Sequence, residues 1–242
     1  MSAKCKFYIS IVFISIFFIQ GISFSQQPDY RIIFGSNWEK ADAFVSENEF
    51  WLKSACEKNN ISFTFAVAIV FPELIRYSAL KDKIEISLLK TLYINLGEDY
   101  ADFSVGPFQM KPSFGEDIHK RVQSVRERRI RNLFKTGTSY KDVREYRKSI
   151  VADLEDPRSE LNYLIAFIKI CEHNYMIKWK DENEKLEFFS TAYNCGLDKG
   201  QDYIYAMSEK KFFSTSIIKT KTYSYSDISV YWYILNSKSG KH

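Results

Sequence analysis

Glu73, Gln109 and the Tyr193-Asn194 pair are the residues of this chain whose types and settings could do chemistry. Glu73 follows Phe65-Ala66-Val67-Ala68-Ile69-Val70-Phe71-Pro72, an unbroken apolar stretch. A carboxyl group in a water-poor setting keeps its proton toward neutral pH and can hand it to a leaving group. Gln109 lies within Gly106-Pro107-Phe108-Gln109-Met110-Lys111-Pro112. There a glycine permits close backbone approach, the amide both donates and accepts, and Phe108 and Met110 offer apolar wall. Ala192-Tyr193-Asn194-Cys195-Gly196 adds a phenol and a second amide at an expected helix end. Each stretch alone reads as a surface helix end, a Gly-Pro turn or a core tyrosine. Their combination and order carry the argument.

In that order the three stretches resemble the catalytic core of the lytic transglycosylases and goose-type lysozymes. The last matches the Ala-Tyr-Asn-x-Gly pattern at its four fixed positions, and the likeness covers roughly residues 60 to 200. The resemblance implies a mostly α, lysozyme-like helical domain with a substrate cleft. It also implies cleavage of the MurNAc–GlcNAc bond of peptidoglycan by a single Glu, leaving 1,6-anhydro ends and using no cofactor or metal. Glycosidic cleavage needs a proton on the leaving oxygen as the bond breaks, and Glu73 is the expected general acid and base. On the same resemblance the Tyr193 hydroxyl bonds that carboxyl group. Gly106, Phe108, Gln109, Met110 and Asn194 shape the glycan subsites. A hydrolytic lysozyme of the inverting type needs a second carboxylate about 6.5–9.5 Å away; Asp99 and Asp102, with Glu98, precede the Gly106 turn and are the candidates. They read otherwise as loop carboxylates after the helix stop at Gly97. The chain departs from the family pattern at Leu74, where Ser is usual, and in its long Glu73–Gln109 interval. Those departures motivate a rival reading, a wall-binding or envelope scaffold protein that keeps the cleft without turnover.

The elements that must position these residues are helical. Trp38, Ala41, Phe44/Val45, Trp51/Leu52 and Ala55 recur at helical spacing and predict a helix to Lys58. The apolar run Phe63 to Phe71 suits a strand or a buried helix, and the resemblance selects helix. Pro72 is expected to end or kink it, projecting Glu73 from the helix edge. Ile84 to Leu96 reads as an inserted helix. Asp156-Pro157 forms a capped helix start, with Leu161, Leu164/Ile165, Ile168 and Cys171 on one face to about Trp179. Glu184 to Asn194 is a further helix, with Gly196 as its cap. Residues 117–150 are rich in Arg and Lys, with Ile118, Val122, Val125, Arg129 and Leu133 at near-helical spacing. They read as a solvated helix face over a docked apolar stripe, the alternative being a basic surface toward an anionic polymer. From Ser214 to Asn236 the pattern leaves helix and strands both open.

Residues 1–25 read as a secretory signal peptide. Lys4 and Lys6 precede the apolar run Phe7 to Ile19, and small residues follow it. The run is short for a membrane span, so no stable span is expected after cleavage, although an uncleaved anchor is the alternative. This places the protein outside the cytoplasm, in the periplasm or cell envelope. Residues 26–242 then form one domain. The formal net charge of +4 is too mild to argue for nucleic acid. Cys56, Cys171 and Cys195 are too few for a disulfide scaffold; Cys171 with Cys195 is the expected pair if a bridge forms, and free thiols are the simpler expectation. His119, His173 and His242 have no metal-ligand spacing.

Overall fold

The computed structural model describes residues 28–80, 86–101, 103–134, 140–215 and 221–237. The signal-like segment 1–25, the first residues of the predicted Ile84 helix, Asp102 and His242 lie outside them. Among the described residues helix accounts for 72% and strand for 4%, so the expectation of a mostly α fold holds.

Two helices are buried on nearly every face and form the centre of the molecule. The first, α3, runs Phe63–Leu80 and is buried without a break from Phe65 to Ile75. A helix apolar all round has no solvent face to offer and must be surrounded by other elements. Those elements are α2 (Ser36–Lys58), α9 (Glu182–Cys195) and α11 (Tyr225–Ser237), with α8 (Pro157–Asn174) touching it as well. The second central helix is α8, whose residues Tyr163 to Cys171 are all buried. Its expected single apolar face is therefore an understatement, and it stops at Asn174 rather than near Trp179.

Pro72 does not end α3. The helix passes through it, so Glu73 sits inside a helix rather than at its edge, which corrects the expectation from proline chemistry. A helical proline lacks the N–H that would reach residue i−4 and crowds that residue's carbonyl. Here residue i−4 is the small Ala68. One position further on, the Ile69 carbonyl accepts a hydrogen bond from the Tyr225 hydroxyl at 3.0 Å. Outside support thus steadies the backbone where proline weakens it.

The remaining elements enclose this centre. A short α1 (Tyr30–Phe34) precedes α2, and α4 (Ile86–Leu96) lies against α7 (Val143–Glu155). Between them come α5 (Pro112–Arg121), a 3-10 turn at Val122–Ser124 and the one-turn α6 (Arg128–Arg131). The basic stretch is thus several short pieces, with Ile118, Val122, Val125 and Ile130 buried beneath exposed arginines. Arg129 itself is exposed, so the buried position on that stripe is Ile130. After α9 come α10 (Gln201–Ser208), the strand β1 (Lys211–Phe213) and β2 (Tyr223–Ser224), paired antiparallel. The tail that allowed helix or strand uses both: β2, then α11. Caps follow the sequence signals. Asp156 accepts from the Arg158 and Ser159 amides ahead of α8, Asp181 accepts from the Glu184 amide ahead of α9, and Gly196 closes α9 at φ +99°.

Candidate functional site

A cleft of about 900 Å³ opens between the elements carrying the three sequence motifs. Glu73, Arg76, Gln109, Met110, Tyr193 and Asn194 line it together. The structure therefore brings five of the expected site residues to one cavity and adds Arg76, which sequence reasoning missed.

Glu73 is 4% exposed. Burial pushes its carboxyl pKa up, and the neighbouring Arg76 holds back only part of that rise. Arg76 lies one turn further along α3, so a single nitrogen, Nη1, donates to both carboxylate oxygens at 2.8 and 2.7 Å. The spacing of three on one helix was the signal that could have found this pair. The Arg76 guanidinium also stacks 4.7 Å from the centre of the Phe213 ring on β1.

The phenol at the acid is Tyr225, not Tyr193. Tyr225 lies close enough to Glu73 to interact with its carboxyl group, while its hydroxyl donates to the Ile69 carbonyl at 3.0 Å. Tyr193 is 8% exposed and donates at 2.8 Å to the carbonyl of Phe108. Its position on α9 sets the ring between Phe114 and Phe167, and from there the hydroxyl meets the 106–110 turn. The role implied for Tyr193 is thereby corrected: it grips the turn. Removing the other phenol, by Tyr225→Phe, deletes a buried hydrogen bond to the Ile69 carbonyl. Chemical denaturation is expected to register a loss of about 1–2 kcal/mol, and no loss would show that water or a shifted side chain serves Ile69 equally well.

The turn itself is tight. Val105 and Met110 exchange backbone hydrogen bonds in an isolated antiparallel bridge. Gly106 has φ +70° and Gln109 has φ +51°. A left-handed conformation is uncommon for a non-glycine residue and signals local constraint. Gln109 uses its Nε2 to donate to the Gly106 carbonyl at 2.8 Å and still lines the cleft. Met110 forms wall beside it. Phe108 does not: it is 2% exposed and packs edge-on against Phe44, centroids 6.4 Å apart. The turn sends Phe108 inward and Gln109 outward, so Phe108 anchors the loop instead of touching a ligand. Gly106 likewise lies behind the cleft wall, against α7 and α8.

The candidate second carboxylates are placed differently from expectation. Asp102 is outside the described residues; of the other two, Asp99 is exposed and off the cleft and Glu98 lines the cavity. Other cleft carboxylates are engaged: Asp117 with Arg121 at 2.7 Å, Asp198 with Lys199 at 2.6 Å, and Glu116 with Tyr93 and Arg147. A buried carboxylate that sequence reasoning missed is Glu160, 0% exposed, which accepts the Phe108 amide on both oxygens at 3.0 and 3.1 Å. Its place on α8 in line with Leu164, Phe167 and Cys171 was the available signal, a lone charge on an apolar stripe.

Asn194 is exposed on the cleft and Cys195 beside it is half-buried. Cys56, Cys171 and Cys195 are free thiols, and burial raises the pKa of each. The simpler expectation of free thiols therefore holds, and Cys171 and Cys195 are not bridged. Among the described residues no group of three His, Cys, Asp or Glu could hold a metal ion. Among the same residues no helix is long and apolar enough to cross a membrane. No protein-family model, curated protein or solved structure matches the chain.

Proposed function

We propose that this cleft binds glycan strands of peptidoglycan and that Glu73 cuts them as a lytic transglycosylase, with an exported protein as the context. The observation that carries the reading is a carboxyl group buried in an apolar helix, raised in pKa, and lining a cavity large enough for sugar rings. Two amide side chains, Gln109 and Asn194, line the same cavity and suit the N-acetyl and hydroxyl groups of amino sugars. The protonated Glu73 gives its proton to the leaving glycosidic oxygen as the C–O bond breaks. Its carboxylate then takes the proton of the sugar's own 6-hydroxyl, whose oxygen closes onto the anomeric carbon. One group returns to its starting state, and no second carboxylate is required.

The Glu73–Arg76 ion pair favours a second reading, in which the carboxylate stays charged and the cleft holds glycan without cutting it. Incubating residues 26–242 with purified sacculi and analysing the soluble fraction by mass spectrometry separates the outcomes. Anhydro ends support the lyase and reducing ends a hydrolase. Retention on sacculi without new ends supports the binding protein. Neither retention nor new ends removes glycan from the account.

A further inference from the structure

Glu160 stands outside the proposed acid–base chemistry, yet it is a completely buried carboxylate at the back of the site. Burying a charged group is costly unless it is well satisfied. Its partner is a backbone amide: both oxygens accept the Phe108 N–H, two residues before the Met110 N–H that bonds the Val105 carbonyl. From the other side the Tyr193 hydroxyl donates to the Phe108 carbonyl at 2.8 Å. Two buried polar side chains from two helices, α8 and α9, thus seize the donor and the acceptor of one residue. That residue immediately precedes Gln109, which carries the left-handed backbone on the cleft wall. The fit is close enough that a Cβ on Gly106 would lie 2.6 Å from Glu160 Oε2.

We infer that Glu160 is a positioning residue: with Tyr193 it clamps the peptide units of Phe108 and so fixes the strained turn that presents Gln109 to the cleft. A carboxyl group carries at most one hydrogen on its two oxygens and can take the Phe108 amide on either of them. A glutamine of the same shape brings two N–H hydrogens into that space, where the Phe108 donor already points. The isosteric change is therefore the informative one. An apolar replacement would test packing instead. The functional half of the inference, that the clamp supports ligand binding, rests on the glycan reading above, whereas the clamp itself does not.

The test compares the wild-type chain with Glu160→Gln by amide hydrogen exchange and by binding of soluble glycan strands. Exchange of the Phe108 and Met110 amides is expected to speed up roughly tenfold or more, while core amides of α3 keep wild-type protection. Glycan affinity is expected to fall by a similar factor, with kcat changed less than KM. Should Glu160→Gln fail to fold, Tyr193→Phe releases the opposite grip and should loosen the same two amides. Unchanged exchange at Phe108 and Met110 overturns the clamp. Faster exchange with wild-type glycan affinity overturns its role in binding. A wild-type chain that neither binds nor cuts glycan sinks the functional reading alone, since the exchange result still decides the clamp.

Discussion

Replacing Glu73 with Gln is expected to lower the release of glycan chain ends by about 100- to 10 000-fold, the range one positioned acid–base group contributes. The substitution keeps size and shape and removes the transferable proton, so retention on sacculi should survive. It should also change how stability depends on pH. Glu73 and Glu160 both have pKa values above the ordinary 4.5 of a glutamate, burial being the largest cause in each. Between 4.5 and those raised values the native chain holds protons that the unfolded chain has released. Stability is then greatest below the unfolded pKa and falls as pH rises through the folded values. Glu73→Gln removes one of the two contributions, so the decline above 4.5 should become shallower. Urea titrations across that range measure both slopes. Equal slopes would mean that Arg76 outweighs burial and keeps the carboxylate charged, which returns the site to glycan binding without cutting.

Gly106→Ala is expected to cost about 2–5 kcal/mol. Part is backbone: at φ +70° a side chain adds strain, about 1–2 kcal/mol for a left-handed residue. The rest is collision, because the new Cβ would lie 2.4 Å from the Leu154 carbonyl oxygen and 2.6 Å from Glu160 Oε2. The first is main chain at the end of α7 and the second is locked onto Phe108, so neither gives way as a flexible side chain tip would. Overpacking of this kind typically costs about 1–3 kcal/mol. Two other glycines calibrate the result. Gly35, with φ +48° and nothing within 4 Å of an added Cβ, should show only the backbone part. Gly200, open and at φ −72°, should be close to neutral. If Gly106→Ala behaves like Gly35→Ala, the turn is more pliant than its contacts imply.

Helix periodicity and caps were legible because they depend on residues a few positions apart: Asp156-Pro157, the Trp38 to Lys58 repeat, and Gly196 after α9. The convergence of Glu73, Gln109, Met110, Tyr193 and Asn194 on one cleft followed from motif resemblance. What was not legible depends on partners far along the chain. Pro72 reads as a break, and only Tyr225, 156 residues from Ile69, shows how the backbone there is supported. Glu160 reads as an ordinary first-turn acid until the Phe108 amide, 52 residues away, is placed against it. Tyr193 was located but given the wrong partner, since the turn at Phe108 rather than Glu73 faces its hydroxyl. Phe108 and Gly106 were assigned to the cleft because sequence does not say which side of a tight turn each residue takes.

The surroundings of Glu73 are finished by Phe213 and Tyr225, which arrive late in synthesis. A growing chain can complete α3 and even the Gly106 turn while its carboxyl group still lacks the ring over Arg76 and the phenol from α11. The finished setting of residue 73 is therefore tied to translation past residue 225. Fragments that stop before residue 211 should be chemically silent however well their earlier helices fold.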